Sequence, residues 1–123
     1  MVEAKGGSIL VTGSMASKRG MAMNPAYVAS KHGLLGLSRA VAMEMAPHGI
    51  RCNCVIPGFI ETEALARIPE EQRSMIEGRV PQRRMGSVAE LAEVAVFLLS
   101  DAASHVTGQD WAVDGGTLET LEV

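Results

Sequence analysis

The sequence predicts an α/β fold built on a parallel β-sheet, and three observations lead to that class. Short apolar, β-branched runs occur at 8–13, 50–56 and 110–114, without the polar alternation of strands that face water. Such unalternating runs are typical of strands covered on both faces. A long helical segment at about 26–46 separates the first two runs, which predicts a βαβ unit with a right-handed crossover. With the helices of the second half, we expect about three strands and three helices.

The long helix is apolar on almost every side, which is unusual for a helix that covers one face of a sheet. It begins at Asn24-Pro25, since proline suits the first turn of a helix, and it ends before Pro47. Several small residues would let a second helix approach closely; they are Ala29, Gly33, Gly36 and Ala40. We therefore predict that the helix at about 26–46 forms the subunit interface of a homo-oligomer, a dimer or a tetramer.

Two helical segments follow the second strand. Residues 62–80 are polar, with a helix start near Pro69. We interpret them either as a mobile lid that closes over a substrate or as an ordinary surface helix. Ser87 and Glu90 have the spacing of a capping box, which predicts a helix that runs from there to about residue 99.

Composition and charge exclude several functional classes. The chain has 123 residues, a net charge of −3 and no block of basic residues, so we expect one domain at most and no nucleic-acid partner. No segment has the roughly 18 apolar residues of a membrane span, and the N-terminus lacks the apolar run of a signal peptide. We therefore expect a cytoplasmic protein without a membrane partner. Cys52 and Cys54 have no histidine at ligand spacing, so we expect small buried hydrophobes and no metal site.

Ser14, Tyr27 and Lys31 are the candidate catalytic residues. Tyr27 and Lys31 are four positions apart on the predicted helix and therefore share one face. A nearby ammonium favours the phenolate form of a tyrosine, which can then exchange a proton with a carbonyl or alcohol near physiological pH. Ser14 directly follows the first strand, at the edge where parallel sheets place ligands, so its hydroxyl can hold the substrate oxygen. A solvated helix face can also carry Tyr-x-x-x-Lys, but the preceding serine favours catalysis.

These residues belong to segments that resemble the short-chain dehydrogenase/reductase family. The likeness runs from about residue 5 to residue 117, and keto-acyl carrier protein reductases are among the most similar members. The matching segments are the strand leading to the serine (6–14), the helix start (24–31), the next strand and its loop (50–62), and the closing strand (107–108 and 113–116).

The resemblance implies a Rossmann-type, doubly wound parallel sheet. It also implies an NAD(P)-dependent oxidoreductase that moves hydride between the nicotinamide of NAD or NADP and a small-molecule carbonyl or alcohol. The residues it assigns to cofactor binding are Tyr27, Lys31, Pro57, Gly58, Ile60 and Thr62.

Family members are about twice as long as this chain. The resemblance therefore implies that residues 1–123 are the C-terminal half of a single domain. We expect the N-terminal dinucleotide-binding half, with its Gly-rich turn and catalytic asparagine, to be absent. One alternative is a catalytically incompetent fragment that acts, if at all, by oligomerising with full-length relatives. An epimerase or dehydratase on the same scaffold is another, whereas the spacing of Tyr27 and Lys31 disfavours the enoyl-reductase variant.

Apolar residues cluster in the loops around the predicted site. The candidate substrate-pocket residues are Met15, Met21, Met23 and Phe59. Flexible methionines suit a medium-sized, partly apolar carbonyl compound. Ordinary packing of the loops explains the same residues equally well, so both interpretations stay open.

Overall fold

The computed structural model describes residues 1–120 of the chain. The strands are β1 (Gly7–Thr12), β2 (Ile50–Pro57), β3 (Ile60–Glu61), β4 (Gly86–Ser87) and β5 (Asp110–Val113). The helices are α1 (Pro25–Met45), α2 (Glu63–Ala66), α3 (Glu70–Arg79) and α4 (Val88–Leu99). All three predicted strands and all three predicted helices are present, which confirms the α/β class.

The main sheet is parallel and has the order β1-β2-β5. In its register, Gly7 pairs with Ile50 and Thr12 with Val55, and Cys54 pairs with the first residue of β5. Residues 52–56 of the central strand β2 are buried. This position explains why the sequence of β2 is apolar without alternation, since a central strand is covered on both faces.

Helices cover the sheet on both sides. Leu35 of α1 packs against Cys54 of β2 in the main apolar cluster. The Ser8 hydroxyl and the Arg51 guanidinium each donate a hydrogen bond to the carbonyl oxygen of Leu98 in α4, at 3.1 and 2.8 Å. Because successive strand residues point to opposite faces, Arg51 and Cys54 lie on different sides of β2. The sheet therefore lies between α1 and α4.

The buried polar residue of β2 has a structural role. Asn53 donates to the carbonyl oxygen of Val106 at 2.8 Å and accepts from the backbone N–H of Gln109 at 3.1 Å. It therefore joins β2 to the segment that leads into β5. The flanking Cys52 and Cys54 are fully buried, and burial raises the pKa of both thiols. They remain neutral and act as small core residues, as expected.

The sequence did not predict strands β3 and β4 or the short helix α2 as separate elements. Strands β3 and β4 form a separate parallel ladder of two residues each, in which Ile60 pairs with Gly86. Helix α2 is a single turn, capped by the Thr62 hydroxyl, which accepts from the backbone N–H of Leu65 at 3.5 Å. Strands of two residues carry no periodicity that a sequence pattern could reveal. The ladder of β3 and β4 connects the loop after β2 to the start of α4.

The face of α1 that points away from the sheet is apolar and exposed. Leu37 is 55% exposed and Met43 is 65% exposed. A Cβ added to Gly33 or Gly36 would meet no atom within 4 Å. Within residues 1–120, the strip is largely uncovered; only the end of Met43 approaches another segment, since a Cβ added at Gly108 would lie 3.6 Å from its methyl group. Despite its length, neither α1 nor any other helix in the described range is apolar enough to cross a membrane.

Candidate active site

Ser14 begins a tight turn directly after β1. Its backbone N–H donates to the Ser17 hydroxyl at 3.1 Å, and its own hydroxyl accepts from the backbone N–H of Ala16 at 3.2 Å. These two bonds form a capping box for the 3₁₀ turn Met15–Ser17 and fix the serine side chain. Because the hydroxyl oxygen acts as an acceptor here, its hydrogen stays available to donate to a ligand oxygen.

Tyr27 and Lys31 lie in the first turns of α1. The Lys31 ammonium is 5.8 Å from the centroid of the Tyr27 ring. It also donates a hydrogen bond to the carbonyl oxygen of Thr12, at 3.1 Å. Thr12 is the last residue of β1 and stands two positions before Ser14. Tyr27 is 38% exposed and its hydroxyl forms no hydrogen bond within residues 1–120, so its proton can reach a ligand.

The predicted cofactor-binding segment begins at the carboxyl end of β2, the edge of the sheet that also carries Ser14. The N–H of Gly58 donates to the carbonyl oxygen of Val113 at 2.9 Å. A Cβ at Gly58 would lie 2.6 Å from the Cα of Asp114, so this close approach of two backbones requires glycine. Pro57 is half-buried and the Ile60 side chain is buried. Ile60 can therefore offer a ligand only its backbone, whereas Thr62 is exposed.

A cleft of about 740 Å³ opens beside Ser14. Three of the four candidate pocket residues line it: Met15, Met21 and Phe59. The fourth, Met23, is 99% exposed and does not take part. The rest of the lining is Ala16, Arg19, Gly20, Arg79, Thr117, Leu118 and Thr120. Sequence reasoning missed the two arginines, because they are far apart in the chain and no motif marks them.

A second feature that sequence reasoning missed is the ion-pair cluster around Asp110. This carboxylate, at the start of β5, accepts from Arg39 of α1 at 2.9 Å and also pairs with Lys18. Its side chain is 14% exposed. Burial raises the pKa of Asp110, but the hydrogen bonds from Lys18 and Arg39 outweigh it and hold the pKa below its ordinary value. The cluster ties β5 to α1 and to the segment that carries Ser14.

Comparison with known proteins places these features in a family. A family model described as enoyl-(acyl carrier protein) reductase matches residues 1–117. The chain belongs to the short-chain dehydrogenase/reductase family. It is 40% identical over 116 residues to the 3-oxoacyl-[acyl-carrier-protein] reductase FabG of Salmonella typhimurium, covering 94% of this chain and 48% of that protein. Over 115 residues it is 44% identical to the cyclohexanol dehydrogenase of Acinetobacter sp., of which it covers 45%.

Solved structures of the short-chain dehydrogenase/reductase family share the fold of this chain. The gluconate 5-dehydrogenase of Burkholderia cenocepacia, in complex with NADP and tartrate, superposes with a TM-score of 0.89 at 31% identity; the match covers 98% of this chain and 48% of that one. The TT0495 protein of Thermus thermophilus gives a TM-score of 0.88 at 41% identity and is covered to 52%. These matches confirm the Rossmann-type class predicted from the sequence.

The chain spans about half the length of the short-chain dehydrogenase/reductase relatives that it matches. That half contains Ser14, Tyr27 and Lys31 together with the segment at 57–62. Within residues 1–120, these positions gather where β1 and β2 end and α1 begins.

Proposed function

We propose that this chain forms the catalytic half of an NAD(P)-dependent oxidoreductase, which moves hydride between a nicotinamide and a carbonyl or alcohol substrate. The observation that carries the proposal is the position of the Lys31 ammonium. It lies 5.8 Å from the Tyr27 ring and is hydrogen-bonded to Thr12 at the end of β1. A tyrosine, a cation and a serine-bearing turn thus come together at the edge of a parallel sheet where ligands bind.

Each of the three side chains has its own task. Ser14 donates its hydroxyl hydrogen to the substrate oxygen and polarises the carbonyl. Tyr27 gives a proton to that oxygen in reduction and removes it in oxidation. Lys31 places a positive charge beside the Tyr27 ring and presents its remaining N–H donors to the ribose hydroxyls of the cofactor.

The residues around the carboxyl ends of β1 and β2 fit the nicotinamide end of NAD or NADP. Pro57 and Gly58 bring the backbone close to the end of β5, where a side chain at position 58 would clash. The exposed Thr62 hydroxyl still has its hydrogen to donate, and the backbone at Ile60 flanks it. We assign carboxamide binding to Ile60 and Thr62. The bound cofactor supplies the hydride chemistry, while the protein orients the substrate and manages the proton.

A carbonyl or alcohol substrate is favoured over an enoyl substrate. Tyr27 and Lys31 are one helical turn apart and close in space, whereas the enoyl-reductase variant has a longer spacing. The FabG of Salmonella typhimurium is named as a 3-oxoacyl reductase and the Acinetobacter relative as a cyclohexanol dehydrogenase. Both names describe interconversion of a carbonyl and an alcohol.

Activity is best tested in a chimera that places the N-terminal half of the Acinetobacter cyclohexanol dehydrogenase before residues 1–123. We expect this chimera to oxidise NADH or NADPH in the presence of ketones such as cyclohexanone. Tyr27→Phe should abolish turnover, because the proton donor is lost, while leaving cofactor affinity nearly unchanged. A chimera that binds NADPH but reduces no ketone, or a Tyr27→Phe variant that keeps more than a small residue of the activity, contradicts the proposal.

We also propose that residues 1–123 alone do not hold a dinucleotide, since the Gly-rich pyrophosphate turn of the family has no counterpart in this sequence. Isothermal titration of the purified chain with NADH and NADPH tests this statement. Micromolar binding of either cofactor would show that these residues suffice.

A second candidate function is assembly without catalysis. It is supported by the exposed apolar strip on α1, which includes Leu37 and Met43 beside two glycines that leave open space. Here the chain oligomerises with itself or with full-length relatives through α1. Co-elution of an inactive chain with a full-length relative in size-exclusion chromatography would favour this function.

A further inference from the structure

The cleft beside Ser14 is lined by two arginines that the proposed reaction does not use. Arg19 follows the 3₁₀ turn after β1, and Arg79 is the last residue of α3. Both line the cleft, together with Met15 and Ala16, the two residues that directly follow Ser14. The arginines are sixty positions apart in the chain, so it is the fold that brings them to one cavity.

These two arginines differ from those with a structural task. Arg39, Arg73 and Arg84 each pair with a carboxylate, whereas neither Arg19 nor Arg79 forms an ion pair within residues 1–120. The lining of the cleft includes no acidic side chain in that range. Glu119 lies between two lining residues in the chain, but it is exposed and does not line the cavity. The cleft therefore carries two positive charges that are not neutralised.

The backbone holds both arginines in place. The N–H of Arg19 donates to the carbonyl oxygen of Met15 at 3.0 Å. Arg79 is followed by the buried Val80, whose N–H donates to the carbonyl oxygen of Glu77 at 3.1 Å. Both arginines are exposed, so their guanidinium groups are accessible to a ligand, and a planar guanidinium matches a carboxylate in a bidentate geometry.

The remaining wall of the cleft is largely apolar. Met15, Met21, Phe59 and Leu118 all line it. The volume, about 740 Å³, is in the range of small-molecule sites, roughly 300–1,000 Å³. The cleft thus combines a largely apolar wall with two arginines and adjoins the turn that follows Ser14, a pattern that suits an amphipathic anion.

We propose that the substrate is a carbonyl or hydroxy compound that also bears a carboxylate, and that Arg19 and Arg79 bind this carboxylate. The location of the reacting carbonyl at Ser14 rests on the function proposed above. The binding of the anion rests only on the cleft. The two arginines are therefore determinants of substrate specificity and take no part in hydride or proton transfer.

Binding is measured on the 123-residue chain by NMR, with methionine methyl groups labelled with ¹³C and the Met15 and Met21 signals assigned by substitution with leucine. The probes are 4-oxopentanoate and its methyl ester, which differ in charge at one end. We expect 4-oxopentanoate to shift both signals with an affinity at least about tenfold higher than that of the ester, since charge-assisted hydrogen bonds are the strong ones. Arg19→Gln combined with Arg79→Gln should remove this preference.

The matched control is Arg67→Gln combined with Lys5→Gln, which removes the same charge from exposed side chains outside the cleft and should preserve the preference. Equal affinity for the acid and the ester, or an unchanged preference in the Arg19/Arg79 double variant, overturns the proposal. At least tenfold tighter binding of 2-oxopropyl phosphate than of 4-oxopentanoate overturns the choice of a carboxylate.

Hydride transfer is measured separately in the chimera, so the two proposals can fail independently. If the specificity proposal holds, Arg79→Gln raises KM for 4-oxopentanoate about tenfold, leaves kcat nearly unchanged and has no effect on the ester. A KM that stays constant overturns it even in an active enzyme. Conversely, the chain could prefer the acid over the ester while the chimera shows no turnover. That result would refute only the proposed oxidoreductase function.

Discussion

The ammonium of Lys31 donates a hydrogen bond to the carbonyl oxygen of Thr12, with a distance of 3.1 Å. This bond joins the second turn of α1 to the last residue of β1, two positions before Ser14. An ammonium has three N–H donors, so the bond to Thr12 leaves two of them free. Lys31 thus fixes the geometry between helix and strand and keeps donors for a ligand.

The Lys31→Met substitution removes the positioned ammonium. Its effect should therefore differ from that of removing any other positive charge from the surface. In the chimera we expect kcat at pH 7 to fall by about 10²–10³-fold, in the range of general acid–base contributions and loss of a positioned cation. Steady-state rates at pH 7 provide the measurement. Lys5→Met, at an exposed lysine far from α1 in sequence, is the control, and equal losses in both variants would contradict the role.

Gly58→Ala should destabilise the protein. The added Cβ would lie 2.6 Å from both Cα and Cβ of Asp114, and a backbone atom cannot move aside as a side-chain tip can. We expect a loss of about 1–3 kcal/mol in the free energy of unfolding, as for other overpacked sites. Urea denaturation followed by circular dichroism measures the change.

The matched control for Gly58 is Gly78→Ala in α3, where the added Cβ meets no atom within 4 Å. Because alanine is the better helix former, this change should be neutral or stabilise by up to about 1 kcal/mol. If both substitutions had the same effect, the close contact between residues 58 and 114 would not be what requires glycine.

The Asp110→Asn substitution should make the free energy of unfolding less dependent on pH in the acidic range. The pKa of Asp110 is lowered in the folded protein, where burial raises it but hydrogen bonds from Lys18 and Arg39 prevail. Its contribution is therefore complete above the unfolded pKa, about 3.9, and is lost as the pH falls through the lower folded value. Since both cationic partners are partly exposed, we expect Asp110→Asn to cost about 1–2 kcal/mol at pH 7.

This cost should begin to shrink as the solution is acidified below about pH 4, and it should disappear once the pH lies below the lowered pKa of Asp110 in the folded protein. Thermal unfolding at pH 7 and pH 3 compares the two proteins. Asp101→Asn removes the same charge from an exposed residue that forms no ion pair within residues 1–120 and should have little effect at either pH. A stability difference for Asp110→Asn that persists unchanged at pH 3 would rule out the ion pairs as its source.

The fold was largely predictable because its main elements have strong local signals. The unalternating run of β2 indicated a buried central strand, and Asn24-Pro25 together with Pro47 bounded α1 to within two residues. The Ser87–Glu90 capping box is present as predicted. The ladder of β3 and β4 could not be predicted, since each strand has two residues and is formed only through long-range pairing.

The geometry of the candidate site was predictable only where its residues lie within one local segment. Tyr27 and Lys31 share a helix face, so their spacing in the sequence already indicates that they meet. In contrast, Arg19 and Arg79 reach one cleft from different elements, and Asp110 meets Lys18 and Arg39 across the sheet. Met23 is close to Met21 in sequence but does not line the cleft, because its backbone turns its side chain into solvent, where it is 99% exposed.

Leu37→Glu should disrupt self-association through α1. Leu37 is 55% exposed and lies beside Gly36, where no atom lies within 4 Å of an added Cβ. In a symmetric dimer the same patch meets itself, so one substitution introduces two like charges into an apolar contact. Light scattering after size-exclusion chromatography should give a multiple of 13.0 kDa for the unmodified chain and a monomer for the variant.

Met75→Glu, which places the same charge at an exposed apolar residue of α3, is the control for Leu37→Glu and should leave the assembly intact. A monomeric unmodified chain at about 100 µM, a concentration at which interfaces with Kd in the micromolar range are occupied, would contradict this role for α1. So would a Leu37→Glu variant that keeps the mass of the oligomer.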